Sequence, residues 1–530
     1  MPAFSNEVIL LGELTPLRSC FDVYYYDLSL DINPDKKTLS GSVEIHAKAI
    51  NDFDTLQIDL DPNFKITSLT QIGATEELPY SRNERAIFVT LTHKKGELFI
   101  LKIDYQGKPM IAKKPPWKGG FVWKKDKEKK PWIGVTCETD GASIWWPLKD
   151  HTSDEPDSMR THYTVPKGLT AVANGQLVDS VQHTNTTTFN WFVSYPINTY
   201  NVSVYVGDFK PIHDTHRSIN GKDIAITHYV LKQNYDKAKT HFQQVHPILD
   251  LYEKRFGPYP WQRDGFKLIE SPYAGMEHQT AIAYGNKYKN DAGSNTDYII
   301  LHEIAHEWWG NSVTAQDLCD VWLQEGFATY AEALYFEENG TTIGYNAHLQ
   351  FNKLFIKNKY PVVGVCERRW FHYKKSSDAY VKGAWILHTL RQQLQDDAVF
   401  FDIIKTFYMD NQYDLVSTQQ FIELVNEKSG DDYTWFFDQY LYNNFAPILE
   451  YDHNDKGELF YRWTRVNPDF NKLQVTVDGN NGTIIITPDT SIKKVKWPSN
   501  NLGIWSYRFQ NNILCGFEEN KKLTKLYDKK

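Results

Sequence analysis

The sequence predicts a multidomain α+β protein, β-rich at both ends and helix-rich between them. Three observations carry this. The chain has 530 residues, about three to four times the usual length of one domain, so two to four domains are expected. Its apolar residues recur with period two near the ends and with helical period in the middle. Its composition, 41% apolar and 23% charged, is that of a folded globular protein and excludes a disordered polymer.

In the first two hundred residues Tyr26, Leu28, Leu30 and Ile32 alternate with Asp27, Ser29 and Asp31, and Val43, Ile45 and Ala47 alternate with Glu44, His46 and Lys48. This pattern marks an antiparallel sheet with one buried face. Residues Lys113 to Trp132, containing KKPPWKGG and KKDKEKK, read as a basic loop or long hairpin punctuated by Pro and Gly. The segment is expected to be a solvated excursion without chemistry of its own; the alternative is the rim of a cleft. After Val204, Val206 and Gly207 the pattern changes. From about Asn234 to Phe256 apolar residues recur at helical spacing up to a stop at Gly257, Pro258 and Pro260. Helical patterns continue to about Phe445. Beyond Pro447, alternation returns in Leu473, Val475 and Val477, followed by Asp478, Gly479 and the run Ile484 to Ile486, which predicts a small β domain. The expected division is 1–210, 211–447 and 448–530.

A net charge of −8 argues against nucleic acid or an anionic membrane as partner. No apolar stretch reaches the ~18 residues of a membrane helix, and the opening MPAFSNEVILLGEL holds no apolar run long enough for a signal peptide. A soluble chain without a transmembrane segment is expected, either cytoplasmic or the processed form of an exported protein. Cys20, Cys137, Cys319, Cys366 and Cys515 are odd in number, widely spaced and without a C-x-x-C pair. Neither a disulfide framework nor a cysteine metal knuckle is therefore expected, and the five read as mainly buried small residues.

The chemistry concentrates in HEIAH, His302 to His306, set among Ile299, Ile300, Ile304 and Trp308 and preceded by Asn295, Thr296 and Asp297 as candidate N-caps. Two histidines at i and i+4 lie on one helical face, close enough to share an ion, and neutral imidazole is a good zinc ligand. Glu303 sits beside them, where a carboxylate can take a proton from water activated by the metal. A chance HExxH is expected in roughly a few per hundred such chains, so a second feature must decide. Nineteen residues beyond His306, Glu325 stands in WLQEGFATYAE, a second helical pattern running to a stop at Gly340. Two histidines, one glutamate and one open position make a usual catalytic zinc set. Glu332, seven residues after Glu325, returns to the same face and suits a hydrogen bond to a ligand histidine.

HEIAHEWWGN with Glu325 resembles the M1 family of zinc aminopeptidases, gluzincins that include leukotriene A4 hydrolase and aminopeptidase N. PYAGMEH, Pro272 to His278, is similar to the family's GxMEN exopeptidase signature. ASIWWPLKDHTSDEPDSM, Ala142 to Met159, is similar to its N-terminal landmark, and DAYVKG, Asp378 to Gly383, to the segment carrying its catalytic tyrosine. The resemblance covers roughly residues 20 to 450. It implies a thermolysin-like catalytic domain in the middle of the chain, with one zinc ion per chain on His302, His306 and Glu325. By the same resemblance Glu303 is the general base, and Tyr380 donates to the oxyanion. Glu277 and Glu138 receive the substrate's free α-amine, whose buried charge needs an opposite one. Gly275 and Met276 belong to the same substrate-binding stretch, Gly275 admitting a close peptide backbone.

The implied function is hydrolysis of the N-terminal peptide bond by attack of a zinc-bound water on peptides with a free amine; a homo-oligomer is admitted as a further assembly. Three alternatives stand beside it: a leukotriene A4 hydrolase-like epoxide hydrolase, a zinc endopeptidase disfavoured by Glu277, and a non-catalytic peptide-binding protein disfavoured by the retained Glu303 and Tyr380. Two departures from the family pattern stand out. His278 replaces the usual Asn, and a protonated imidazole there is expected to compete for the charge of Glu277, so that activity rises with pH through its pKa. After residue 448 a β-like tail leaves no room for the long helical C-terminal domain of larger members, so a short form with a more open or partner-covered cleft is expected.

Overall fold

Tyr26, Leu28, Leu30 and Ile32 are buried along the strand Phe21–Asn33 while Asp31 and Asn33 face solvent. That alternation seats the strand in a seven-stranded sheet. The structure, a computed structural model, describes residues 6–291, 294–339, 344–368, 376–479, 482–496 and 507–528. The sheet runs in the order Gln176–Gln182, Thr186–Val193, Ser158–Pro166, Phe21–Asn33, Thr38–Ala49, Leu98–Gly107, Phe64–Gln71. It is not wholly antiparallel, which corrects the expectation: Phe21–Asn33 pairs in parallel with Ser158–Pro166. Residues 34–157 join them, and so long a crossover frees the second strand to run either way. Two short helices, Asn6–Gly12 and Pro16–Ser19, precede the first strand.

The basic segment forms a hairpin, Gly120–Lys125 with Pro131–Thr136, and the hairpin is fastened to the middle of the chain. Lys124 Nζ donates to the Pro272 carbonyl at 2.7 Å, Trp132 Nε1 to the Glu270 carbonyl at 2.9 Å, and Tyr273 Oη to the Val135 carbonyl at 2.7 Å. The backbone from 270 to 273 is thereby held just before PYAGMEH places Gly275–Met276 as an edge strand. That edge closes a five-stranded sheet ordered Phe209–Arg217, Asp223–Leu231, Leu268–Glu270, Ile282–Tyr284, Gly275–Met276.

Helices cover this sheet. The pattern from Asn234 to Phe256 becomes Tyr235–His241 and Val245–Phe256, ended by Gly257 at φ 130°, a backbone that favours glycine. HEIAH lies on Tyr298–Ala305, whose N-cap Asp297 accepts from the Ile299 N–H at 3.1 Å. Asp297 also accepts from His241 Nε2 at 2.8 Å and Tyr284 Oη at 2.6 Å, so the cap ties the helix start to both helix and sheet. Glu325 lies on Trp322–Glu338; the expected stop at Gly340 falls outside the described residues. Tyr380 lies in the first turn of Asp378–Leu394. These two helices cross at Gly326 and Gly383, where a Cβ on either would stand 3.0 or 2.9 Å from the other's Cα.

The C-terminal strands form a four-stranded and a three-stranded sheet. Their apolar face is continuous with the helices: Leu449, Trp463, Phe470 and Val475 share one buried cluster with Phe436, Phe437 and Tyr440. Among the described residues no helix is long and apolar enough to cross a membrane. Cys319 and Cys366 form a disulfide with Cα atoms 4.8 Å apart, which corrects the reading of all five cysteines as mainly buried thiols; Cys366 is exposed. The partners are 47 residues apart in sequence and meet only because the fold brings together the segments before the Glu325 and Tyr380 helices. Cys20, Cys137 and Cys515 are free and buried.

Buried imidazoles make stability sensitive to acid. His388, on the Tyr380 helix and 2.8 Å from Tyr345 Oη, is pushed to about 3 from 6.5 by burial, with Arg391 and Lys353 adding to it. The unfolded chain takes up a proton below about 6.5 and the folded chain does not. The stability carried by neutral His388 is thus fully present above that pH and is lost toward pH 3, at ~1.4 kcal/mol per pH unit. Urea unfolding at pH 7 and pH 5 should show the stability gap between wild type and His388→Gln narrowing by about 2 kcal/mol; an unchanged gap would contradict the buried neutral ring.

Candidate metal centre and substrate cleft

His302 and His306 stand one turn apart, His306 at the helix C-cap. The partner of each Nδ1 decides what each Nε2 offers. His302 Nδ1 donates to Glu332 Oε1 at 2.7 Å and His306 Nδ1 to the Trp309 carbonyl at 2.8 Å, so in the neutral rings both Nε2 atoms carry lone pairs. These two atoms are 3.1 Å apart, and Glu325 Oε2 lies 3.5 and 3.3 Å from them. Three acceptors this close repel one another unless positive charge lies among them. A tetrahedral zinc with bonds of ~2.0–2.1 Å sets its ligands about 3.3–3.4 Å apart. The triangle fits such an ion, and its donor set leaves a fourth position open.

Glu325 reaches the triangle because its helix approaches the Tyr380 helix at the Gly326–Gly383 crossing. Burial pushes its carboxyl up, and only positive charge at the triangle, on the two rings or on an ion held between them, brings it down below the carboxylate range. Glu332 is likewise held well below the carboxylate range against burial, between His302 and His348, whose Nε2 is 3.0 Å from Glu332 Oε2. The relay from His302 through Glu332 to His348 fixes the ring of one candidate ligand.

Glu303 shares the helix and is buried. Burial raises its carboxyl to about 8, with Glu277 adding to the rise and the two imidazoles opposing it. Ligand atoms of Glu277, Glu303 and His306 lie within 4.8 Å of one another, so two carboxylates flank the triangle on one side. Gly275 has a second task here: a Cβ would lie 2.2 Å from Glu303 Oε1 and 2.9 Å from Ile299 Cγ2. The edge strand can press against the general-base candidate only as glycine. Met276 is buried, its sulfur 3.5 Å from Thr136 Oγ1. The Glu277 carbonyl accepts from Asn311 Nδ2 at 2.7 Å, and Asn311 in turn accepts from Asn201 Nδ2 at 2.9 Å.

His278 departs from expectation. It is fully buried with Nδ1 2.5 Å from Tyr205 Oη, and burial lowers it to about 3. The ring is therefore neutral at physiological pH and brings no competing charge to Glu277, so no rise in activity with pH is assigned to it. Tyr380 is half-buried, its ring nearly parallel to His302 with centroids 6.2 Å apart. Burial, then Glu325 and Glu138, raise its hydroxyl well above the usual tyrosine value, which keeps it a proton-bearing donor.

Gly275, Met276, Glu277, His302, Glu303, His306, Glu325 and Tyr380 line one cleft. Half-buried Glu138 borders it, as do Pro116, Trp117 and Tyr298, of which the sequence singled out neither Tyr298 nor the two rim residues individually. Pro116 and Trp117 make part of the basic segment a cleft rim after all. Tyr298 was open to detection, being four residues before His302 on the same helical face. Tyr200, whose hydroxyl accepts from Gln324 Nε2 at 3.1 Å, and His348 carry no local pattern. A further set, Asp317, Cys319 and Cys366, also clusters, but its two sulfurs are bonded to each other and offer no thiolate.

Comparison with known proteins agrees with this geometry. A model of the peptidase M1 N-terminal domain matches residues 23–201, and one of the peptidase family M1 domain matches residues 240–440. Aminopeptidase N of Lactococcus lactis subsp. lactis is 24% identical, the alignment covering 94% of this chain and 63% of that protein. Leucyl aminopeptidase of Saccharolobus solfataricus is 25% identical over 58% of this chain and 38% of its own. The chain thus spans less than two thirds of the length of these curated relatives. A crystal structure of a mutant M1 zinc metallopeptidase from Deinococcus radiodurans superimposes with a TM-score of 0.67 at 23% identity, over 80% of this chain and 95% of that one, a likeness of fold.

The Glu332 relay makes a prediction. Glu332→Gln keeps the side chain's size but weakens its hold on His302 Nδ1, so zinc affinity measured by chelator competition should fall about 10- to 100-fold. Wild-type affinity in that variant would show that Glu332 does not orient the ligand.

Proposed function

Because the chain belongs to peptidase family M1, we propose that it is a zinc-dependent aminopeptidase that hydrolyses the N-terminal peptide bond of peptides, with one zinc ion per chain on His302, His306 and Glu325. The observation that carries the reading is the buried carboxylate of Glu277 beside Glu303 and His306, with mutual distances within 4.8 Å. A carboxylate so near the hydrolytic groups suits an ammonium, and an ammonium bound there leaves only the first peptide bond at the metal. An endopeptidase has no use for that charge.

When bound, zinc supplies Lewis acidity toward water and the scissile carbonyl. The chain's own residues do the rest. Glu303 takes the proton of the attacking water and passes it to the departing amine. Tyr380 Oη donates to the carbonyl oxygen as negative charge develops on it, a contact stronger in the transition state than in the ground state. Glu277, aided by Glu138, accepts hydrogen bonds from the α-ammonium and so sets the register of the peptide. Gly275 leaves room for the Glu303 carboxylate, and the Trp309 carbonyl and Glu332 hold the two rings. The division into 1–210, 211–447 and 448–530 belongs to the same proposal; the strand Phe209–Arg217 straddles the first boundary, and Ile448–His453 opens the third part.

Two experiments test this. Glu303→Gln should retain zinc and lose about a hundredfold or more in kcat, and Tyr380→Phe should lose about 10²- to 10³-fold; a wild-type rate in either would remove that residue from its role. N-acetylated peptides should be cleaved far more slowly than free ones, and Glu277→Ala should erase most of that difference by slowing the free peptide. Internal cleavage of an acetylated peptide at the rate of the free one would refute the exopeptidase reading.

A further inference from the structure

The basic segment ahead of the Gly120–Lys125 hairpin brings an exposed tryptophan to the cleft that holds the carboxylates of Glu138, Glu277, Glu303 and Glu325. Trp117 is 56% exposed and lines the same cleft as the candidate metal ligands, together with Pro116, Ala274 and Ile299. A single exposed apolar side chain is ordinary on a protein surface, but this one faces the cleft and is not on a loose loop. The turn closes on itself through the Lys118 N–H donating to the Lys114 carbonyl at 2.9 Å. Thr136 Oγ1 donates to the Pro116 carbonyl at 3.3 Å, and the Gly119 N–H donates to Asp140 Oδ2 at 2.7 Å. Gly119 is pressed so close that a Cβ would lie 2.6 Å from the Thr136 carbonyl oxygen. Lys114 Nζ stands 5.2 Å from the centre of the Trp117 ring, a cation–π contact that steadies it further.

The two anchors, Thr136 and Asp140, flank Glu138 in the sequence. Thr136 also reaches the sulfur of Met276, the neighbour of Glu277. The indole is therefore mounted on the rim that carries the two carboxylates proposed for the substrate's amine. The side chain beside that amine belongs to the first residue of the peptide.

We propose that Trp117, with Pro116, is the wall that receives the side chain of the substrate's N-terminal residue, and that it selects large apolar or aromatic side chains over small ones. This rests on the aminopeptidase reading of the site. A rigid aromatic face provides contact area at little cost in conformational entropy, and hydrophobic pockets of this kind discriminate by about 10- to 200-fold.

The test compares aminoacyl anilides and dipeptides of Phe, Leu and Ala with wild type, Trp117→Ala and Trp117→Phe. The wild-type preference for Phe over Ala in kcat/KM should fall about tenfold or more in Trp117→Ala and largely return in Trp117→Phe. An unchanged Phe-to-Ala ratio overturns the proposal, as does a change that follows the second residue of the dipeptides instead of the first. Calorimetry of free phenylalanine and alanine binding to Glu303→Gln, with and without Trp117→Ala, separates this from the functional reading. Stronger phenylalanine binding that depends on Trp117 supports the wall even if the wild-type protein turns over no peptide, whereas equal binding of the two amino acids sinks it.

Discussion

The lone pairs of His302 Nε2, His306 Nε2 and Glu325 Oε2 share a triangle with edges of 3.1 to 3.5 Å, and such an arrangement is stable only around positive charge. Much of the surrounding structure serves to hold it. Each Nδ1 is committed to an acceptor, one a backbone carbonyl and one a carboxylate, so neither ring can turn its lone pair away. The helix carrying the histidines is pinned at its start by Asp297. The helix carrying Glu325 comes close enough only because glycines meet at its crossing with the Tyr380 helix. A side chain at Gly326 or Gly383 would push Glu325 and Tyr380 apart together, so the packing of two helices and the geometry of the site are one constraint.

The N-terminal β-rich part contributes to function by placement. Its hairpin grips the backbone carbonyls of Glu270 and Pro272, and the hydroxyl of Tyr273 grips it in return. The edge strand that follows is thereby set against the HEIAH helix, with Gly275 opposite Glu303 and Glu277 beside it. Burial raises both carboxyls, and a substrate ammonium or a metal ion would relieve that cost. Such a pair of buried carboxylates suits the cationic end of a ligand, which is the basis on which a peptide's N-terminus is proposed as substrate.

Local patterns were legible in the sequence and long-range meetings were not. HEIAH declares itself because i and i+4 are neighbours on any helix, and Glu325 and Glu332 follow from a second helical run with a seven-residue return. The alternation at Tyr26, Leu28, Leu30 and Ile32 identified a strand, yet nothing within it revealed that its partner Ser158–Pro166 runs parallel. Cys319 and Cys366 carry no spacing signal, since a single bridge across 47 residues is a product of the fold. The charge of the KKPPWKGG segment masked Trp117, whose position depends on Thr136 and Asp140. His278 misled for a related reason: its residue type suggested a titrating neighbour for Glu277, while its burial against Tyr205 keeps it neutral.

The central claim is that the triangle is a zinc site on which hydrolysis depends. Metal analysis of the purified protein, combined with peptide hydrolysis before chelation, after chelation and after zinc is restored, tests it most directly. The account predicts one zinc per chain, loss of hydrolysis with the metal, its return with zinc, and loss of both in His306→Ala, because two remaining ligands cannot hold the ion competitively. Full hydrolysis by metal-free protein, or full zinc occupancy in His306→Ala, would contradict it.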